Sequence, residues 1–143
     1  MSYLLDTCVV SELTRPSPQP TVARWLMSQP EHSLFLSVLT LGEIQKGIGH
    51  LAAGEKRSEL EKWLRDDLRE RFGSRILPVS DAVALTWGLV QSALEARGTP
   101  MAAVDGLLSA TARTYGLVLA TRNVDDFRDP EVKLHNPWLT GAS

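Results

Sequence analysis

Short apolar runs alternate along this chain with longer segments of helical periodicity, and the alternation predicts an α/β sandwich on a mostly parallel sheet. Three observations carry that prediction. Tyr3-Leu4-Leu5 is an apolar run that stops at Asp6, as a buried first strand would. Residues 55–71 place Leu60, Trp63, Leu64 and Leu68 at helical spacing, with charges of both signs on the other face, a solvated surface. Leu117-Val118-Leu119-Ala120 is continuously apolar, which fits a strand covered on both faces.

The remaining elements follow in order. Residues 8–15 read as a short helix, stopped by Pro16-Ser17-Pro18-Gln19-Pro20. Thr21 can cap a second helix through Gln29, with Val22, Trp25 and Leu26 on one face and Pro30 at its end. Ser33-Leu34-Phe35-Leu36-Ser37 reads as a second strand. Thr40 then opens a helix carrying Leu41, Ile44 and Ile48, weakened at its far end by Gly47 and Gly49. Arg75-Ile76-Leu77-Pro78-Val79 is a strand near an edge or end, because it contains a proline. Ser80 or Asp81 caps a long helix to Arg97, closed by Gly98. That helix is apolar on much of its circumference (Val83, Leu85, Trp87, Leu89, Val90, Ala93, Leu94), which suits a central core position or a subunit interface. A further helix over 102–115 ends at Gly116, and Val132-Lys133-Leu134 supplies a last strand before His135-Asn136-Pro137-Trp138. No repeat, linker or low-complexity stretch divides the chain, so residues 1–143 are expected to form one domain.

Composition narrows the function. Hydrophobic residues make up 43% and charged residues 22%, an ordinary globular mixture. A lone cysteine, Cys8, excludes an intrachain disulfide and suits a reducing cytoplasm. The N-terminus lacks the basic region and length of a signal peptide, and no apolar run reaches the ~20 residues of a membrane span. With a net charge of −2 and no basic tail, the chain does not coat nucleic acid through bulk charge; any such role rests on a local site.

Three acids stand apart from charged company. Asp6 is the only charged side chain in residues 1–11, Glu43 has no charged neighbour from Leu34 to Gln45, and Asp105 has none from Gly98 to Ala112. A carboxylate among apolar residues is costly unless it is paired, hydrogen-bonded or bound to a metal. Taken singly, Asp6 could cap the helix after it, and Asp105 could serve a helix N-terminus. Glu43, inside an amphipathic helix beside its apolar residues, has no such simple use. Asp6 also ends the first strand, and in open parallel sheets ligands bind beyond the carboxyl ends of strands, near the point where strand order reverses. Glu43 and Asp105 sit near helix starts that can reach that edge. Carboxylates gathered there repel one another unless a cation joins them, and all-oxygen ligation suits Mg²⁺ or Mn²⁺.

Four stretches, in this order and spacing, resemble the PIN-domain ribonucleases, and in particular the VapC-type toxins of bacterial toxin–antitoxin pairs. They are Leu4-Leu5-Asp6-Thr7, Ser37 to Glu43 (SVLTLGE), Ala103 to Ala112 (AVDGLLSATA) and Ala120 to Phe127 (ATRNVDDF). Asn136-Pro137-Trp138 is similar to the ending of a subgroup whose complex with the antitoxin binds operator DNA. The resemblance implies a three-layer α/β/α fold with about 4–5 short strands. It implies a cytoplasmic, metal-dependent endoribonuclease, homodimeric, inhibited by a cognate antitoxin and reaching operator DNA only through it. Asp6, Glu43 and Asp105 fall on the family's acidic metal ligands, and Thr7 and Thr121 on supporting hydroxyl positions. Asn123 stands where many members carry aspartate. Asparagine occurs at that position in the family too, so the resemblance keeps Asn123 in the catalytic set, its amide able to offer an oxygen to a metal or a metal-bound water. Its alternative use is to shape the turn after the Leu117–Ala120 strand. The missing charge leaves a second tightly held ion in doubt unless Asp125, a supporting candidate, or Asp126 reaches inward.

Other signals point elsewhere. His32, His50 and His135 lack metal-ligand spacing. Cys8 reads as a small core residue. Ser11 and Ser109 have no paired histidine. The four tryptophans lie on separate elements and read as core or interface anchors. Arg15, Lys46, Arg113 and Arg122 lie near the motifs and could grip phosphates or be ordinary surface charges. Two rival functions remain: another Mg²⁺-dependent phosphohydrolase, against which stand the missing Asp-x-Asp after the first strand and the absence of lysine around Asp105 or Asn123, and an inactive PIN-like module that only binds a partner, against which stand three intact acids.

Overall fold

Five short strands line up side by side in the computed structural model, which describes residues 1–139; the last four residues of the expected domain, 140–143, lie outside the described residues. The strands are β1 (Tyr3–Leu5), β2 (Leu34–Ser37), β3 (Ile76–Leu77), β4 (Val118–Ala120) and β5 (Leu134–His135). Their order is β3-β2-β1-β4-β5, and every neighbouring pair is parallel. The chain therefore builds outward from β1 to one side, then returns to lay β4 on the other, so strand order reverses between β1 and β4.

Side chains alternate across the sheet because the strand period is two. Tyr3, Leu5, Leu34, Leu36, Val118 and Ala120 enter one core, shared with Val9, Val10, Val22, Leu26, Ile44, Ile48, Leu64, Leu68 and Phe72. Leu4 and Leu119 face the other way, into a smaller core with Leu108, Ala112, Phe127 and Val132. One helical layer thus holds α1 (Thr7–Glu12), α2 (Pro20–Ser28), α3 (Val38–Gly49), α4 (Glu55–Lys62) and α5 (Arg69–Phe72). The opposite layer is α7 (Ala103–Tyr115), with α6 (Asp81–Ala96) packed against it through Val90, Leu94 and Met101. This is the three-layer α/β/α sandwich, with a wholly parallel sheet.

Several boundaries move, each for a local reason. Ser37 rather than Thr40 opens α3: its hydroxyl accepts the Leu39 N–H, so the helix starts directly at the end of β2. Pro20, not Thr21, begins α2, because a missing N–H costs nothing at a first helical position. The first helix runs Thr7–Glu12 and not 8–15, because Asp6 accepts the Thr7 N–H. Between α4 and α5 the chain widens into a π-helical stretch over Trp63–Leu68. Leu60, Leu64, Leu68 and Phe72 recur every four residues, a spacing that drifts by about 40° per step on a 3.6-residue turn; the wider turn offsets that drift and keeps the last three buried. The final strand falls on Leu134–His135, starting two residues later and ending one residue later than expected. Among the described residues no helix is long and apolar enough to cross a membrane.

Candidate active site

β1 and β4 end in step, Leu5 opposite Ala120, so Asp6 and Thr121 emerge together at the point where strand order reverses. The Asp6 N–H still donates to the Ala120 carbonyl at 2.9 Å, which ties its backbone to the sheet. The Asp6 side chain is buried and held from three sides. Its Oδ1 accepts the Thr7 N–H at 2.8 Å, and its Oδ2 accepts the Thr121 hydroxyl at 2.7 Å and lies 3.7 Å from the Cys8 thiol. Asp6 is thus the N-cap of α1, and the same carboxylate is a candidate site residue.

Glu43 arrives on α3, whose start is fixed at the same edge by the cap on Ser37. Its Oε1 accepts the Thr7 hydroxyl at 2.6 Å, so Thr7 serves both acids, one through its N–H and one through its Oγ1. Asp105 arrives from the other layer. A helix that precedes a parallel strand must begin where that strand will end, so the first turn of α7, which contains Asp105, comes to the carboxyl edge. Gly106 lets this turn approach α6: a Cβ there would stand 2.8 Å from Trp87 Nε1.

Unlike Asp6 and Glu43, Asp105 accepts no hydrogen bond from the described residues. Its pKa is pushed up to about 6, first by partial burial, then by the negative charges of Asp6, Asp126 and Glu43. Four carboxylates therefore share one electrostatic field at this edge. Of the two acids in the turn after β4, Asp126 is the one that bears on Asp105. Asp125 is exposed in the same turn, Val124–Asp126. Asn123 is exposed too; its N–H donates to Thr121 Oγ1 at 3.0 Å and its carbonyl accepts the Asp126 N–H, so its backbone shapes the turn while its amide has no partner among the described residues. Sequence reasoning placed Cys8 in the core. Two residues past Asp6, it packs half-buried beside Asp6 and Thr121 and accepts the Arg122 N–H at 3.5 Å, with its thiol pKa raised mainly by burial. Its spacing from Asp6 was the available signal.

Among the described residues, no three His, Cys, Asp or Glu side chains stand close enough to ligate one ion directly. The donor set nonetheless fits a hard cation. It is all oxygen and carries uncompensated negative charge, and the buried, unpartnered Ser109 Oγ sits one turn along α7 from Asp105. An ion such as Mg²⁺ keeps several waters and needs only one or two carboxylates in direct contact.

Residues 3–133 match the PIN domain family. The chain belongs to the PIN-domain family. Similar members include Toxin FitB of Neisseria gonorrhoeae, 36% identical over 94% of this chain and 97% of that protein. VapC ribonuclease Y4jK of Sinorhizobium fredii is 28% identical over 94% of this chain and 96% of its own length. Among solved PIN-domain structures, FitAcB from Neisseria gonorrhoeae superposes with a TM-score of 0.88 at 36% identity, covering 95% of this chain and 98% of that one. VapBC2 from Rickettsia felis, bound to a DNA fragment from its promoter, reaches 0.78 at 22% identity over 95% and 98% of the two chains, and speaks for the fold alone.

Proposed function

We propose that this PIN domain is a metal-dependent endoribonuclease that acts as the toxin of a bacterial toxin–antitoxin pair, works in the cytoplasm and is inhibited by a cognate antitoxin. The observation that carries the reading is the gathering of Asp6, Glu43, Asp105 and Asp126 at the switch point of a parallel sheet, where Asp105 has no hydrogen-bond donor among the described residues and is pushed up to about 6, first by burial and then by the other three acids. Structural acids are usually given a cation or a donor; this one is given more acids. Relatives named as a toxin and as a ribonuclease support the toxin role and the substrate class.

In this reading Asp6, Asp105 and Glu43 hold Mg²⁺ or Mn²⁺, directly or through water, and Asn123 offers an amide oxygen without charge. A divalent ion bound there supplies an activated water and offsets charge developing on the phosphodiester. The protein's own part is positioning. Thr121 and the Thr7 N–H fix both oxygens of Asp6, and the Thr7 hydroxyl fixes Glu43. Asp126 borders the site from the turn after β4, with Asp125 in a supporting place in the same turn. With Asn123 neutral, a second ion is weakly held and arrives mainly with the RNA phosphate.

Leu85 and Leu89 on α6 are 75% and 69% exposed, apolar surface that a second copy would cover, which supports a homodimer. Operator DNA is met only through the antitoxin in this reading, in line with the solved structure of FitAB bound to a DNA fragment. Purified protein should cleave single-stranded RNA in Mg²⁺ or Mn²⁺, stop in EDTA, and leave small phosphoesters intact. Hydrolysis of small phosphoesters without RNA cleavage would replace this reading with that of a phosphohydrolase. Absence of both activities in Mn²⁺ would leave a partner-binding module.

A further inference from the structure

Four cations lie beside the site motifs, and the structure sorts them into two kinds. Arg15 donates to the buried Glu12 at 2.8 Å, and Arg113 to the buried Asp129 at 3.1 Å. Both neutralise an acid that could not stand alone. Lys46 and Arg122 are exposed, and among the described residues neither has a carboxylate within 4.0 Å. In a chain of net charge −2, these two are exposed positive charges beside the site motifs that no carboxylate among the described residues answers.

We propose that Lys46 and Arg122 grip the RNA backbone on opposite flanks of the acid cluster, so that a single strand crosses the carboxyl edge of the sheet from α3 to the loop after β4. The proposal rests on the nuclease reading above. Lys46 lies three residues after Glu43, on the same helix face. It lines an open cavity of about 600 Å³ together with Thr7, Glu43, Val104 and His50. Gly42 and Gly47 form part of the same wall, where an added Cβ would meet nothing within 4 Å. Glycine inside a helix is less favourable than alanine. No packing within the protein calls for it at these two positions, and its lack of a side chain leaves the wall open to a chain lying along it. The apolar Val38, Leu39 and Val104 in the same cavity offer a base a surface to rest on.

Arg122 stands on the other flank, directly after Thr121. Its N–H is tied to Cys8 Sγ, and its guanidinium lies 5.3 Å from the centre of the Trp138 ring. Trp138 is itself fixed, half-buried against the larger core, with its N–H on Asn136 Oδ1 at 2.9 Å. Stacking on an indole holds a guanidinium in place while leaving its N–H edge free, the arrangement suited to bidentate contact with a phosphate. Glu12 feels the Arg122 charge, but its oxygens are taken by Arg15 and the Gln19 N–H. Trp138 is on this account a positioning residue for Arg122.

The test is binding of a short fluorescent single-stranded RNA in EDTA, where no cleavage occurs, followed by anisotropy as salt is raised. Each neutralised phosphate contact changes the slope of log K against log salt by about 0.7 for a single strand. Lys46→Gln and Arg122→Gln should each flatten the slope by about that much, and the double variant by about twice as much. Trp138→Leu should behave like a partial Arg122→Gln, Trp138→Phe should bind like wild type, and Arg15→Gln should keep the wild-type slope. Unchanged slopes in Lys46→Gln and Arg122→Gln, or no RNA binding by the wild type at low salt, overturn the proposal. Unchanged RNA binding with weakened binding of an acidic peptide would assign the two cations to a protein partner and also overturn it. Loss of wild-type cleavage in Mn²⁺ with the slopes as expected would instead overturn the nuclease reading alone.

Discussion

Two acids at opposite edges of one sheet are treated in opposite ways. Glu31, in the turn before β2, lies at the amino edge and is met by two guanidiniums: Arg71 donates to both its oxygens at 3.0 and 3.2 Å, and Arg75 to one at 3.0 Å. Its carboxyl pKa is lowered, first by the hydrogen bond from Arg71. Asp105, at the carboxyl edge, has carboxylates for neighbours and is pushed up to about 6. Where architecture is the only demand, this fold neutralises its charges. At the carboxyl edge it leaves them facing one another, which costs stability unless something else supplies the positive charge.

The largest effect is expected from removing the repelled charge. Asp105→Asn should lower RNA cleavage by about 100-fold or more, as expected when a group that holds the catalytic ion is lost. The same variant should be more stable than wild type at pH 7 without metal. A folded-state pKa of about 6 against an unfolded 3.8 means that ionisation is harder in the fold. Stability from this group is full below pH 3.8, falls as pH rises to about 6, and stays low above it. Allowing for partial exposure, the gain at pH 7 is about 1 kcal/mol, and it should vanish at acid pH. Urea unfolding at both pH values measures it, and equal stability of the two proteins at pH 7 would mean that Asp105 is not strained by its neighbours.

Next in size is a change that touches no acid. Gly106→Ala should push Trp87 away and displace the first turn of α7, costing about 1–3 kcal/mol and about tenfold in cleavage. Full activity with lowered stability would show that the α6–α7 contact does not position Asp105. The smallest effect belongs to the amino edge. Glu31→Gln should cost about 1 kcal/mol, since the acid is half exposed, and leave cleavage unchanged. A loss of activity there would erase the distinction between the two edges.

Much of this was legible in the sequence, for identifiable reasons. The strands showed as short apolar runs alternating with longer segments of helical period, and Asp6, Glu43 and Asp105 stood out because each lacks charged neighbours. What stayed hidden depends on tertiary placement. The double service of Thr7, which binds Asp6 and Glu43 at once, requires α1 and α3 to meet. That Asp126 and not Asp125 bears on Asp105 follows from the turn after β4, whose backbone is set by Asn123 and Thr121. Cys8 reads as core from its apolar sequence neighbours and does pack half-buried against the larger core; what stayed hidden is that Asp6 and Thr121 also flank its thiol. Thr40 looked like a helix cap, but Ser37, one turn earlier, takes that role and leaves the Thr40 hydroxyl buried without a partner.

On the proposed function the acid cluster at the carboxyl edge receives a divalent cation, and calorimetric Mn²⁺ titration at pH 7 tests that most directly. Wild type should bind about one ion per protomer, Asp105→Asn should bind at least about tenfold more weakly, and Asn123→Asp should bind more tightly by adding a carboxylate to the cluster. Equal affinity and stoichiometry in wild type and Asp105→Asn would contradict a metal centre built on these acids.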